Sequence, residues 1–150
     1  MKAIETALSL TQAYKLGIER FEKMLGDEFS KAIELMNKTN EHIIICGMGK
    51  SGLVGRKISS TLASTGTPSI FLHPAEAIHG DLGKVQKKSI VLLISYSGET
   101  EEIIALIPAF KRLNVTIVAL TGVKDSTLAS KADIILDTSV DREACPLNLA

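Results

Sequence analysis

From residue 42 onward the sequence predicts an α/β domain, a parallel sheet held between two layers of helices. Three observations predict it. Short apolar runs alternate with stretches of helical periodicity, which is the signature of repeated strand–helix–strand units. The run Ile90-Val91-Leu92-Leu93-Ile94 is apolar without a break, as a strand covered on both faces requires. A turn carrying Gly47, Gly49 and Gly52 joins the first apolar run directly to the first helical pattern.

The elements follow in order. Residues 3–37 show apolar side chains near the helical period, from Ile4 and Leu8 through Phe21 and Phe29 to Met36. Gly17 and Gly26 interrupt that pattern, so it reads as one bent helix or as two. It is amphipathic enough to pack on the sheet or on another subunit, and the pattern leaves both open. Residues 42–46 form the first strand, and residues 51–65 a helix closed by Gly66 with Pro68 just beyond. Residues 69–72 read as a second strand, and 74–81 as a loop or one helical turn. A strand at 89–95 leads to a helix at 99–113, then a strand at 115–120. A short helix at 126–131, with Asp125 or Ser126 as cap, precedes a last strand at 133–136. Right-handed crossovers then give a three-layer αβα sandwich with five parallel strands in the flavodoxin-like order 2-1-3-4-5. In that order strands one and three are neighbours, and a ligand binds at their carboxyl ends, where the chain reverses direction.

Composition narrows the function classes. Of 150 residues, 45 % are apolar and 23 % charged, which is globular. Lys plus Arg (17) balances Asp plus Glu (17), so neither a nucleic acid nor a basic partner is indicated. Aromatic residues are 4 % and Trp is absent, which argues against stacking platforms. Two cysteines make no disulfide framework. The first 30 residues hold no uninterrupted apolar run, so neither a signal peptide nor a membrane span is read, and the expected compartment is the cytoplasm.

Two loops carry candidate chemistry. Gly47, Gly49 and Gly52 fit G-x-G-x-x-G, but the second strand ends Phe71-Leu72-His73 without the acid that a dinucleotide ribose requires. Gly49-Lys50-Ser51 resembles the end of a phosphate-binding P-loop, yet the earlier glycine of that motif would fall at Ile44. What remains is a tight strand-to-helix turn with Lys50 at its apex and free N–H groups suited to an anion. Ser95-Tyr96-Ser97-Gly98-Glu99-Thr100 follows the most apolar strand and brings three hydroxyls to a helix start, which suits a phosphate monoester. A serine cap explains one hydroxyl but not three. Glu99, Glu101 and Glu102 read as first-turn acids that complement the helix dipole. Glu143 follows the last strand and can reach the same edge, although a solvated loop acid fits its spacing as well. His73 and His79 flank residues 74–78, and with Cys46 and Cys145 they give no metal-ligand spacing.

These residues resemble the sugar isomerase (SIS) domain, on the strength of the 47–52 and 95–100 loops. Ser60 to Pro68, His73-Pro74-Ala75-Glu76-Ala77 with His79-Gly80-Asp81-Leu82-Gly83, and Glu143 through Ala150 are similar to D-arabinose-5-phosphate isomerases. The resemblance covers the chain from about residue 40. It implies reversible conversion of D-ribulose 5-phosphate to D-arabinose 5-phosphate through an enediol, without a metal or other cofactor, in a cytoplasmic homotetramer. The product would supply synthesis of Kdo, a sugar of lipopolysaccharide and some capsules. It further implies a catalytic set at Lys50, Glu102 and Glu143, with His79 in the site. Gly49, Ser51, Ser95, Ser97 and Thr100 would hold the phosphate. The expected organisation is a single SIS domain over 1–150, with an N-terminal helical segment (1–38) and an α/β core (39–150). Members usually continue past the Pro-Leu-Asn-Leu-Ala segment with a long helix and another active-site histidine, and many carry two CBS domains. This sequence contains neither. The expected partner is a small sugar phosphate, with no nucleic acid and no membrane. A second function class remains, a sugar-phosphate sensor that keeps the phosphate loop but needs no base.

Overall fold

The computed structural model describes residues 2–147. Two helices, α1 (Lys2–Met24) and α2 (Asp27–Lys38), precede strand β1 (Ile43–Gly47). Then come α3 (Gly49–Ser64), β2 (Ser69–Leu72), α4 (Pro74–Ile78) with a single 3-10 turn at Asp81–Lys84, and β3 (Ile90–Ile94). The chain continues through α5 (Glu101–Leu113), β4 (Thr116–Thr121), α6 (Thr127–Lys131) and β5 (Ile134–Asp137). The five strands form one parallel sheet in the order β2-β1-β3-β4-β5, as the alternation predicts.

Alternation along each strand sorts the core into two faces. Ile44 and Cys46 of β1, Val91 and Leu93 of β3, and Ile117 and Ala119 of β4 pack against Ile103, Leu106, Ile107 and Phe110 of α5 and Leu128 of α6. Ile43 and Ile45, Ile90 and Leu92, and Val118 pack against Ala32, Leu35 and Met36 of α2 and Ile58 and Leu62 of α3. The unbroken apolar run of β3 is therefore buried on both sides. Burial also pushes the Cys46 thiol up to about 12, so it stays protonated and acts as a small hydrophobe.

The amphipathic N-terminal stretch resolves into two helices, broken at Gly26 and not at Gly17, which lies inside α1. α2 packs on the sheet, whereas none of the side chains of α1 is fully buried. Leu8, Tyr14 and Ile18 of α1 are more than half exposed. Ser126 is the cap of α6, its hydroxyl accepting from the Ala129 amide at 3.3 Å. Gly66 closes α3 at φ +92°, a conformation in which a side chain would be strained.

Phe110 of α5 is fully buried in this core. Phe110→Ala should cost about 3–5 kcal/mol in chemical denaturation. A second prediction concerns Asp137, at the end of β5, whose side chain is 12 % exposed. Burial opposes its charge, but the Ser139 amide at 2.8 Å and Lys124 at 3.0 Å outweigh that, leaving its carboxyl below the usual 3.8. Its folded value lies under its unfolded one, so its contribution is present above about pH 4 and is lost as pH falls through the folded value. Asp137→Asn should therefore lower the melting temperature at neutral pH, with the gap to the parent chain closing in acid.

Candidate active site

The site is built on the register between β1 and β3. Gly47 pairs with Ile94, so the turns that leave the two strands start side by side. This is the switch point: α3 lies on one face of the sheet and α5 on the other.

The first turn is shaped by close approach. A Cβ on Gly52 would sit 2.6 Å from the Gly47 carbonyl oxygen, and one on Gly47 would sit 3.0 Å from Ser51. Gly49 has φ +55° and open space where a side chain would go. Gly55, one turn further on, lies against Ile45 and Phe71, and the guanidinium of Arg56 covers the Phe71 ring at 4.3 Å. The helix begins at Gly49, two residues earlier than its periodicity predicts. Gly49, Lys50 and Ser51 thus form its first turn. No side chain caps it and no acid lies in it. Lys50 is exposed there, a cation beside the positive end of the helix dipole, where structure alone disfavours it.

The second turn is organised around Ser95. Its side chain is buried, and its hydroxyl is 2.7 Å from the Thr100 hydroxyl and accepts from the Gly98 amide at 3.1 Å. Ser97 is exposed, and its hydroxyl accepts from the Glu99 amide at 3.2 Å. Thr100 precedes α5 but makes no side-chain cap, since its hydroxyl is engaged with Ser95. The first-turn amides of α5 therefore have no side-chain acceptor from the cap position. Gly98, at φ +67°, touches the next loop: a Cβ there would lie 2.0 Å from the Ser126 hydroxyl. Its carbonyl accepts from the Leu128 amide at 3.0 Å. Glu99 falls outside α5, contrary to the first-turn reading. Its carboxylate accepts from the Thr127 amide at 2.6 Å, a bond that holds it below the ordinary carboxylate range.

The structure thus brings Gly49, Lys50, Ser51, Ser95, Ser97 and Thr100 to one sheet edge. Glu102 stands half-buried in the first turn of α5. His79 ends α4, which packs against α5, and is exposed. Glu143 belongs to a tail, residues 138–147, that crosses to α1, where Glu143 lines a cavity with Tyr14, Gly17 and Phe21. The tail thus places Glu143 beside α1. Asn148–Ala150, the end of the last resembling segment, lie outside the described residues. Sequence reasoning missed Tyr96. Its carbonyl accepts from Gly122 and Thr121, its ring covers Gly122, and its hydroxyl accepts from the Val140 amide at 3.4 Å. Only the glycine opposite the ring, remote in sequence, could have signalled it. Among the described residues, no three His, Cys, Asp or Glu side chains converge as a metal site, and no helix is long and apolar enough to cross a membrane.

Gly98→Ala should cost more than about 1 kcal/mol in chemical denaturation, from the φ alone. Gly83→Ala, at a glycine with nothing near its Cβ, should cost less in the same measurement.

Comparison with known proteins agrees with this geometry. The SIS domain family matches residues 35–150. The chain is 55 % identical over 126 residues to the arabinose 5-phosphate isomerase KdsD of Pseudomonas aeruginosa, covering 84 % of this chain and 39 % of that protein. It spans about two-fifths of the length of the curated relatives it matches. An Escherichia coli CFT073 protein solved in complex with arabinose 5-phosphate is 36 % identical with a TM-score of 0.85, covering all of this chain and 81 % of that one. A Francisella tularensis phosphoheptose isomerase, 20 % identical with a TM-score of 0.80 over 95 % of this chain and 88 % of that one, shares the fold. With a five-stranded sheet in the predicted order and a family match over most of its length, the chain belongs to the SIS domain family.

Proposed function

We propose that this domain is an aldose–ketose isomerase interconverting D-ribulose 5-phosphate and D-arabinose 5-phosphate. The observation that carries the reading is the pairing of Gly47 with Ile94, which sets two helix starts without side-chain caps beside one hydroxyl-rich loop. Such an edge suits a phosphate dianion. The identity to isomerases of arabinose 5-phosphate, and the same sugar phosphate bound to the Escherichia coli neighbour, support the choice of sugar.

In this reading Ser51, Ser97 and Thr100, with the amides of both first turns, hold the phosphate, and Gly49 lets the backbone approach it. Ser95 braces the loop through Thr100 and Gly98. The anchored phosphate orients the carbon end of the sugar. A carboxylate removes a proton from the carbon beside the carbonyl, giving a cis-enediolate. The hydroxyl proton passes from the neighbouring oxygen to the former carbonyl oxygen, and the carboxylic acid returns its proton to the former carbonyl carbon. Glu143 is the first candidate for the base and Glu102 the second. Lys50 stabilises negative charge developing on the oxygens, which accounts for a cation placed against the helix dipole. His79 is assigned to the sugar end of the site, as the resemblance implies.

The helical segment and the core serve as one domain in this scheme, without a cofactor. The exposed apolar side chains of α1 support association with a further copy, since such a surface is normally covered, and the homotetramer itself is taken from the sequence resemblance. A cytoplasmic location and a place supplying Kdo synthesis are part of this reading, as the sequence resemblance implies. The sensor reading keeps the phosphate loop but gives the lysine and acids no task.

Purified protein supplied with ribulose 5-phosphate should form arabinose 5-phosphate. Lys50→Ala should lower kcat by about 100-fold or more, with phosphate affinity kept. Glu143→Gln and Glu102→Gln should do the same to different degrees. A chain that binds the sugar phosphate but never turns it over would instead be a sensor.

A further inference from the structure

The tail after β5 is fastened to the rest of the chain at successive residues. The Thr138 amide extends the ladder by donating to the Thr121 carbonyl at 2.9 Å. The Ser139 hydroxyl accepts from Arg20 of α1 at 2.9 Å, and Asp141 forms an ion pair with the same guanidinium. The Val140 amide donates to the Tyr96 hydroxyl at 3.4 Å, while its side chain lies against α1 at Gly17, 3.9 Å from where a Cβ would stand. Glu143 comes two residues after the last of these ties.

Packing of the core does not explain the ties made by Arg20 and Tyr96. Among the described residues, the buried Nε of Arg20 has no hydrogen-bond partner, while both terminal nitrogens are aimed at the tail. Tyr96 spends its backbone carbonyl and its ring on the β4 loop, so the loop that carries Ser95, Ser97 and Thr100 fixes where its hydroxyl points. That hydroxyl then reaches across to the tail.

We infer that Tyr96 and Arg20 are positioning residues that seat the tail, and with it Glu143, at a fixed place relative to the phosphate loop. Tyr96 references the tail to the phosphate loop and Arg20 references it to α1. A tail held from two sides places its acid reproducibly, and a displacement of about 1 Å in a reacting group is enough to cost about 100-fold in rate. The inference rests on the isomerase reading for its kinetic consequence, but not for its structural one.

The experiment compares the parent chain with Tyr96→Phe, which keeps the ring on Gly122, and with Arg20→Lys, which keeps the charge but not the two-pronged grip. Two quantities are read: kcat and KM for ribulose 5-phosphate, and amide hydrogen exchange over residues 138–143. Each variant should lose about tenfold or more in kcat with KM within about twofold, as for an interaction felt mainly in the transition state. Exchange at Val140 should speed up in both, while exchange within β3 stays unchanged. Faster tail exchange with kcat intact would make the ties structural only and overturn the inference. Unchanged exchange in both variants would overturn it as well. If the parent chain turns over no substrate, the isomerase reading fails, and exchange alone then decides whether the two residues seat the tail.

Discussion

The structure depends on one pairing, the parallel ladder between β1 and β3. It joins two strands that are far apart in sequence and send their following helices to opposite faces of the sheet. A sheet that reverses direction at this point must leave a crevice between the two departing turns. The ladder runs to the last residue of each strand, Gly47 opposite Ile94, so the turns begin level with each other. The backbone amides of two helix starts then face a common space. Beyond it, β3, β4 and β5 follow one another in a single direction.

Around that pairing, the residues divide between those that shape the turns and those left over for a ligand. Gly47 and Gly52 bring the start of α3 against its own strand, and Gly55 lets the helix lie on Ile45 and Phe71. Ser95, Gly98 and Ser126 lock the second turn onto the β4 loop. What these contacts do not consume is Lys50, Ser51 and the uncapped first-turn amides of both helices, while Ser97 accepts from the Glu99 amide and keeps its own proton to donate. A cation in a first turn and a threonine that declines to cap its helix both run against local preference. Departures of that kind gather at functional sites, where an external group supplies the missing interaction.

The N-terminal helices follow a different logic. α2 has a partner in the sheet, while α1 extends past it and offers Leu8, Tyr14 and Ile18 to solvent. Its one firm intramolecular task among the described residues is to receive the tail through Arg20 and Gly17. The segment whose role the sequence pattern leaves open thus divides in the structure, one half built into the core and the other half used to hold the chain beyond β5.

By itself the sequence determined the sheet, its order and its edge. Alternating apolar runs, the two-sided burial of β3 and the glycine turn are local signals that the chain obeys, and boundaries differ by one or two residues where caps decide them. The hydroxyl loop and Lys50 were equally legible, because their meaning lies in short contiguous patterns. The tertiary structure alone decided which hydroxyl is spent on the loop itself, that Glu99 accepts from the Thr127 amide at the start of α6 instead of lying in α5, and that Tyr96 and Arg20 reach the tail. Most of these join residues separated by many positions, and the separation is the physical reason: a hydrogen bond across the fold has no period and no spacing, and exists only once the core has brought its two ends together.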